Sequence, residues 1–338
     1  MLRITDNLIL WSMKIGICYD TKEEYGFETS NLNYTDFVSL ELVSEIKRTL
    51  EDIGHDVEYI GNIHSLIAFI EKEQKSVDYI FNMVEGCQSR NRVALIPAYL
   101  EAKKIMHNGS DTFATALVQN KYFTKILVRN IQIKVPEGFI YKEINPCIIA
   151  QALYIGFPLI IKPNNEGGGM GVKLVTNKEE FIRESNYMIK NFNHELLCEK
   201  YIEGKELTVP IIGNGEKCQA LGVISIVNSD HSDIKVYDAA LKQNPNVVGI
   251  VEFGCPEVLI DEIKKASIAI HNFFGLHDYS RMDYKLDKDG NFYFLEANLL
   301  PFLNRKGSFE ICAKQMGKTY QDVIEWIVNA GLKRYGVI

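Results

Sequence analysis

The chain has 338 residues, 46% of them hydrophobic, and a formal net charge of −7. That is enough apolar material for a buried core shared among two or three domains. The acidic balance, without a basic stripe interleaved with aromatics, argues against nucleic acid as the main partner, and the longest apolar runs are far short of a membrane span.

The first twelve residues carry Arg3 and a brief apolar patch, Leu8 to Trp11, too short for a signal peptide. Met13-Lys14-Ile15-Gly16-Ile17 reads as a second start, so residues 1–12 are expected to be an extension outside the fold. The seven cysteines form no Cys-x-x-Cys pair and no even framework, which fits a reduced cytoplasm with thiols as small core residues.

From Lys14 the order is β-α-β-α-β. Strands are expected at Lys14 to Tyr19, His55 to Ile60 and Tyr79 to Val84, with helices at Asp36 to Ile53, Ile63 to Lys72 and Arg92 to Ala102. That order predicts a parallel sheet covered by helices, with ligands at the carboxyl ends of its strands. Asp20 to Tyr25 and Glu85 to Arg92 would then lie near a site, although Glu85, Arg90 and Arg92 are equally readable as solvated loop charges. Gly109-Ser110-Asp111 caps a helix from Thr112 to Asn120, and Lys121 follows at the start of a second.

Val135-Pro136 leads into a strand ending at Tyr141, and Pro146 to Tyr154 is helical. The next stretch is the most distinctive. Phe157 to Ile161 reads as a buried strand that delivers Lys162 to its end, and Pro163 is expected to stop the pairing. Gly167, Gly168, Gly169 and Gly171 then form a loop that returns into a strand, Val172 to Val175. A cation on a strand end beside a glycine hairpin suits a nucleotide triphosphate, because backbone N–H groups approach an anion with no Cβ in the way. The spacing fits neither the P-loop nor the dinucleotide fingerprint, and a plain flexible turn is the alternative. Lys178 to Lys190 is helical and Leu196 to Ile202 is a strand ending at Glu203 to Glu206. Strands follow at Leu207 to Ile212 and Cys218 to Val227, then a loop from Asn228 to Gly249 and a helix from Asp261 to Phe274. Strands at Ser280 to Leu286 and Asn291 to Glu296 turn at Lys288-Asp289-Gly290, and the Tyr320 to Ala330 helix closes the chain.

On the last two strands, alternation sends Arg281 and Asp283 to one face, and Glu296 and Asn298 likewise. Paired strands can gather Asp283, Glu296 and Asn298 into an all-oxygen cluster that suits Mg²⁺ with phosphate oxygens. Met282, Phe294, Leu295 and Ala297 are expected to face the core. The structural alternative is a half-exposed sheet whose carboxylates are balanced by Arg281.

In order and spacing, these residues resemble the ATP-grasp ligases, and among them the D-alanine–D-alanine ligase family. The resemblance runs from Met13 onwards through Lys121, Lys162-Pro163 with its glycine loop, Glu199-Lys200-Tyr201-Ile202 with Glu206, Tyr237-Asp238 with Lys242, Arg281 with Asp283, and Glu296-Ala297-Asn298. It implies three domains: a parallel α/β domain (13–114), a central lid domain (115–206) and a C-terminal antiparallel-sheet domain (207–338). By resemblance, Lys121 and Lys162 sit on the phosphates of ATP under Gly167, Gly168 and Gly169. Glu199, Lys200, Tyr201 and Ile202 would hold adenine, and Glu206 the ribose. Lys242 would reach the γ-phosphate and Arg281 the transferring phosphoryl group. Asp283, Glu296 and Asn298 would hold two Mg²⁺ ions, with Mn²⁺ as an alternative.

The implied reaction is ATP-dependent amide formation between amino-acid or peptide substrates through an acyl phosphate, in the cytoplasm, with a homodimer among the options. A small-molecule phosphotransferase and a nucleotide-binding regulator are the alternatives, the latter disfavoured by the survival of Arg281. The substrate pockets depart from the family. Its Gly-Gly-x-Ser-x-Glu is replaced by Tyr19-Asp20-Thr21-Lys22-Glu23-Glu24, and its His-Gly pair by Val84-Glu85-Gly86. Its Pro-Gly-Met-Thr-x-x-Ser is replaced by Pro301 to Ser308, with the serine one position later. Two D-alanines are therefore not the expected pair. Glu85, Arg305 and Ser308 are the candidate substrate residues. Arg305 is expected to read an acidic group on the amine substrate, unless it and Lys306 face solvent.

Overall fold

A computed structural model describes residues 3–5, 8–10, 12–28, 36–73, 77–87, 89–192, 195–230, 232–236, 238–242, 244, 246–251 and 255–338. Three sheets organise the chain, and a separate two-stranded ribbon pairs Arg3–Thr5 with Leu8–Leu10.

The first sheet is parallel, in the order Asp56–Gly61, Lys14–Tyr19, Tyr79–Met83, Met106–His107. Tyr79–Met83 is buried along its whole length, as a strand covered on both faces must be. The expected first helix starts at Leu40 rather than Asp36, because the Ser39 hydroxyl accepts from the Leu42 N–H and caps it. Its buried face is Leu42, Val43, Ile46 and Leu50.

The second sheet is antiparallel, in the order Gly138–Tyr141, Leu196–Lys200, Leu159–Pro163, Lys173–Val175. Helices Pro146–Ile155 and Lys178–Phe192 pack against it through Ala152, Phe181 and Met188. Pro163 does not stop the pairing: Lys162 lies opposite Leu197 and Pro163 opposite Leu196. On the other side Lys173–Val175 reaches only to Ile161, so the missing N–H of Pro163 breaks no second ladder.

The third sheet is also antiparallel, in the order Val247–Val251, Ile224–Asn228, Lys205–Ile212, Tyr279–Leu286, Phe292–Asn298, with Gln219–Ala220 added beside Lys205–Ile212. Two expectations are corrected here. The strand expected over Cys218 to Val227 is broken: Gln219–Ala220 and Ile224–Asn228 both pair with Lys205–Ile212, but in registers one residue apart. The loop expected over Asn228 to Gly249 holds a short helix, Ala239–Lys242, and ends in Val247–Val251, a β-branched run that pairs with Ile224–Asn228. A helix not foreseen, Ser308–Gln315, buries Phe309, Cys312 and Ala313 on one face. Among the described residues no helix is long and apolar enough to cross a membrane.

Candidate active site

A cavity of about 480 Å³ is lined by strands of the two antiparallel sheets and by loops of all three. Every site residue named from the sequence lies on its wall except Arg305 and Lys242. Lys242 ends the Ala239–Lys242 helix, but its side chain lies outside the described residues, as does Tyr237.

At one end, strand register sets Lys162 beside Glu199, and the Lys162 Nζ is 3.0 Å from Glu199 Oε2. The other Glu199 oxygen takes the Nζ of Lys125, which stands one helical turn beyond Lys121. Burial raises the Glu199 carboxyl, but the Lys125 and Lys162 ammoniums outweigh it and hold it below the usual range. Burial pushes Lys125 down to about 7 against the pull of Glu199. Lys162 stays above its usual value, because Glu199 and Glu296 overcome its burial. Nearby, the Lys200 N–H donates to the Glu137 carbonyl at 2.8 Å and the Tyr201 N–H to Pro158 at 3.2 Å. Glu206 Oε1 lies 3.1 Å from the Nζ of Lys285, which also donates to the Gly204, Ile234 and Lys235 carbonyls.

At the centre, Asp283 pairs with Glu296 and Arg281 with Asn298 across the last two strands. The Arg281 fork holds Asp283 through Nε at 2.9 Å and Nη2 at 2.8 Å. Thr208 Oγ1 donates to Asp283 Oδ1 at 2.6 Å and Asn298 Nδ2 to Oδ2 at 2.8 Å. Lys121 Nζ is 3.4 Å from Glu296 Oε2 and donates to the Glu166 carbonyl at 2.5 Å. A bulge falls between Asp283 and Tyr284, whose partners are Glu296 and Phe294, leaving Leu295 with no residue opposite. The expectation that Leu295 faces the core is therefore corrected: it lines the cavity, while Phe294 is fully buried and Ala297, opposite Met282, packs against the core as expected.

The glycine loop closes over this centre. Gly168, Gly169 and Gly171 have φ of 64°, 75° and 68°, a region that side chains rarely adopt. A Cβ on Gly169 would stand 2.9 Å from the Ala239 nitrogen. The loop is stapled from below by Arg92, which is fully buried. Its Nη1 donates to the Asn165 carbonyl at 2.9 Å, and its Nη2 lies 3.0 Å from Asp36 Oδ2 and 3.3 Å from Glu166 Oε2. The reading of Arg92 as a solvated loop charge is thus corrected.

At the far end stand Glu85 and the residues around Ser308. Asp20, from the altered first-strand segment, is fully buried and accepts from the Gly86 N–H at 2.6 Å and the Tyr25 hydroxyl at 2.8 Å. Lys306 and Ser308 line the cavity. Arg305 does not, and its expected role is withdrawn. Its Nε bonds Glu45, its Nη1 lies 3.4 Å from Glu310, and its guanidinium sits 4.7 Å over the Tyr320 ring. Asp36, Lys125, Lys285 and Leu295 went unrecognised in the sequence. Lys125 had a signal in its one-turn spacing from Lys121, and Lys285 in its alternation with Arg281 and Asp283.

Residues 142–329 match the family described as D-ala D-ala ligase C-terminus. The D-alanine–D-alanine ligase of Aquifex aeolicus is 27% identical over 294 residues, 86% of this chain and 95% of that one. The solved D-alanine–D-alanine ligase from Bacillus anthracis complexed with ATP is 22% identical, with a TM-score of 0.75 over 95% of this chain and 97% of that one. A D-Ala:D-Ser ligase from Enterococcus faecalis is 18% identical, with a TM-score of 0.73 over 95% of this chain and 100% of that one. The two structures share the three-domain architecture with this chain.

Proposed function

Because the chain belongs to the D-ala D-ala ligase C-terminus family, we propose that it is an ATP-dependent carboxylate–amine ligase that forms an amide bond through an acyl phosphate. The observation that carries this reading is the junction of Asp283, Glu296 and Asn298 with Lys121, Lys162 and Arg281 in one cavity beneath a glycine loop. The donor set fits Mg²⁺: two carboxylates and an amide oxygen, hard ligands all, with room beside them for phosphate oxygens. Held by these three residues, Mg²⁺ would supply charge neutralisation to the nucleotide phosphates.

The chain's own residues account for the rest. Lys162 and Lys121 place fixed positive charge along the phosphates, Lys162 on a rigid strand. The Lys200 N–H is already engaged, so its carbonyl is the group that meets the adenine amino edge. Lys285 draws one Glu206 oxygen to itself and orients the carboxylate toward the ribose hydroxyls. The substrate carboxylate attacks the γ-phosphorus and displaces ADP. The amine then attacks the activated carbonyl and phosphate leaves. Arg281 balances the charge that develops in both steps. Water would hydrolyse the acyl phosphate, which gives the glycine loop a reason to be held shut.

The substrates proposed are amino-acid-like and not two D-alanines, a reading supported by the departures from the family's motifs at Tyr19 to Glu24, Val84 to Gly86 and Pro301 to Ser308. Phosphate release is the test, with pairs of amino acids, D-alanine included, and Mg-ATP. The expected outcome is ADP and phosphate, abolished by chelation of the metal and dependent on a second, amine-bearing substrate. AMP and pyrophosphate as products, or phosphate release indifferent to the amine, would overturn it.

A further inference from the structure

Among the described residues seven carboxylates line the cavity, and six of them face a cation of the protein. Asp36 and Glu166 share Arg92, and Glu199 shares Lys125 and Lys162. Glu206 has Lys285, Asp283 has Arg281 and Glu296 has Lys121. Glu85 is the exception. Its carboxylate makes no hydrogen bond or ion pair with any described residue, although it stands at the carboxyl end of the parallel strand Tyr79–Met83, where ligands of such sheets gather.

The surroundings explain why no described cation answers it. Arg92 is turned toward Asp36, Glu166 and the Asn165 carbonyl, and Lys121 toward Glu166 and Glu296. On its other side Glu85 borders a small recess whose walls include Val38, Leu42, Met83, Tyr279 and Leu303. These offer little hydration to a carboxylate. An unpaired carboxylate in such a place is costly unless a ligand brings the missing charge.

We infer that Glu85 receives the ammonium group of the carboxylate-bearing substrate, so that this substrate is an amino acid or a peptide presenting a free amine. The assignment rests on the ligase reading for which end of that substrate reacts. At the end of the first strand, by contrast, Asp20 is already engaged by the Gly86 N–H and the Tyr25 hydroxyl. The electrostatics agree. Burial, Asp36 and Asp20 push the Glu85 carboxyl up to about 8, against the opposing pull of Arg92 and Lys121. An arriving ammonium would restore the ionised form.

The test uses binding rather than turnover. Amino acids of both hands, each paired with the acid that carries hydrogen in place of the ammonium, are titrated calorimetrically into the full chain saturated with Mg-ADP. At least one amino acid should bind, its desamino partner at least about tenfold more weakly. Glu85→Gln should weaken the amino acid about 10- to 100-fold, the range for a charge-assisted contact, and leave the desamino acid unchanged. Glu85→Asp should recover part of the loss, and unaltered melting of the variants confirms their fold. In the wild type, affinity should rise with pH through about 8 as Glu85 ionises, and Glu85→Gln should flatten that rise. Equal binding of the desamino acid, an unchanged affinity in Glu85→Gln, or no binding by any ammonium-bearing acid overturns the assignment. Ammonium-dependent binding without phosphate release under any pairing would remove the ligase reading and leave Glu85 in place.

Discussion

Arg92→Met keeps the length of the side chain and removes its charge. The guanidinium is 1% exposed, and the carboxylates it joins are 8% and 9% exposed. Its removal leaves Asp36 and Glu166 facing each other without a cation, and the Asn165 carbonyl loses one of its donors. Breaking a buried pair by removing one partner costs about 3–5 kcal/mol. For a chain of this size that corresponds to a fall of about 4–7 °C in the transition that includes these loops.

The same contacts hold the glycine loop, so a functional loss should accompany the thermal one. Limited proteolysis within 164–171 should accelerate and the KM for ATP should rise about tenfold or more, since the loop must be ordered by the nucleotide alone. Arg92→Lys, which keeps the charge but loses the fork, should fall between the two. Melting curves, proteolysis rates and ATP kinetics together check the expectation. An Arg92→Met protein that melts like the wild type at pH 7.5 and is no more sensitive to protease would refute the staple.

Glu296→Gln should lower kcat by about a thousandfold or more while the melting temperature stays near that of the wild type, because the amide keeps the shape but not the charge offered to Mg²⁺. A near-normal rate would make the Asp283–Glu296–Asn298 cluster structural. Leu295→Ala should raise the KM for ATP about tenfold with little change in kcat. Up to three carbons leave the cavity wall at about 0.8 kcal/mol per buried methylene, of which only part faces the nucleotide. An unchanged KM would return Leu295 to a purely architectural role.

How much of this was readable in advance depended on how far apart the partners lie. Lys162 with its glycine loop, and Arg281 with Asp283, are local patterns, and strand alternation alone aims them into one space. Leu295 was misread because alternation would put Phe294 and Glu296 on the same face. Only a bulge lets Phe294 enter the core while Glu296 meets Asp283, and a bulge is a property of two strands in register. Arg92 stayed undecided and Arg305 was misread for a related reason. Arg92 is neutralised by Asp36, 56 positions away, and Arg305 is captured by Glu45, 260 positions away. A charge beside a motif looks available for ligand until its distant partner is known. Sequence therefore tells which side chains can reach the cavity, but only the packed structure tells which have already been answered from within. It is by that subtraction, six carboxylates paired and one left facing the cavity, that Glu85 separates from its neighbours as the group that awaits a substrate's charge.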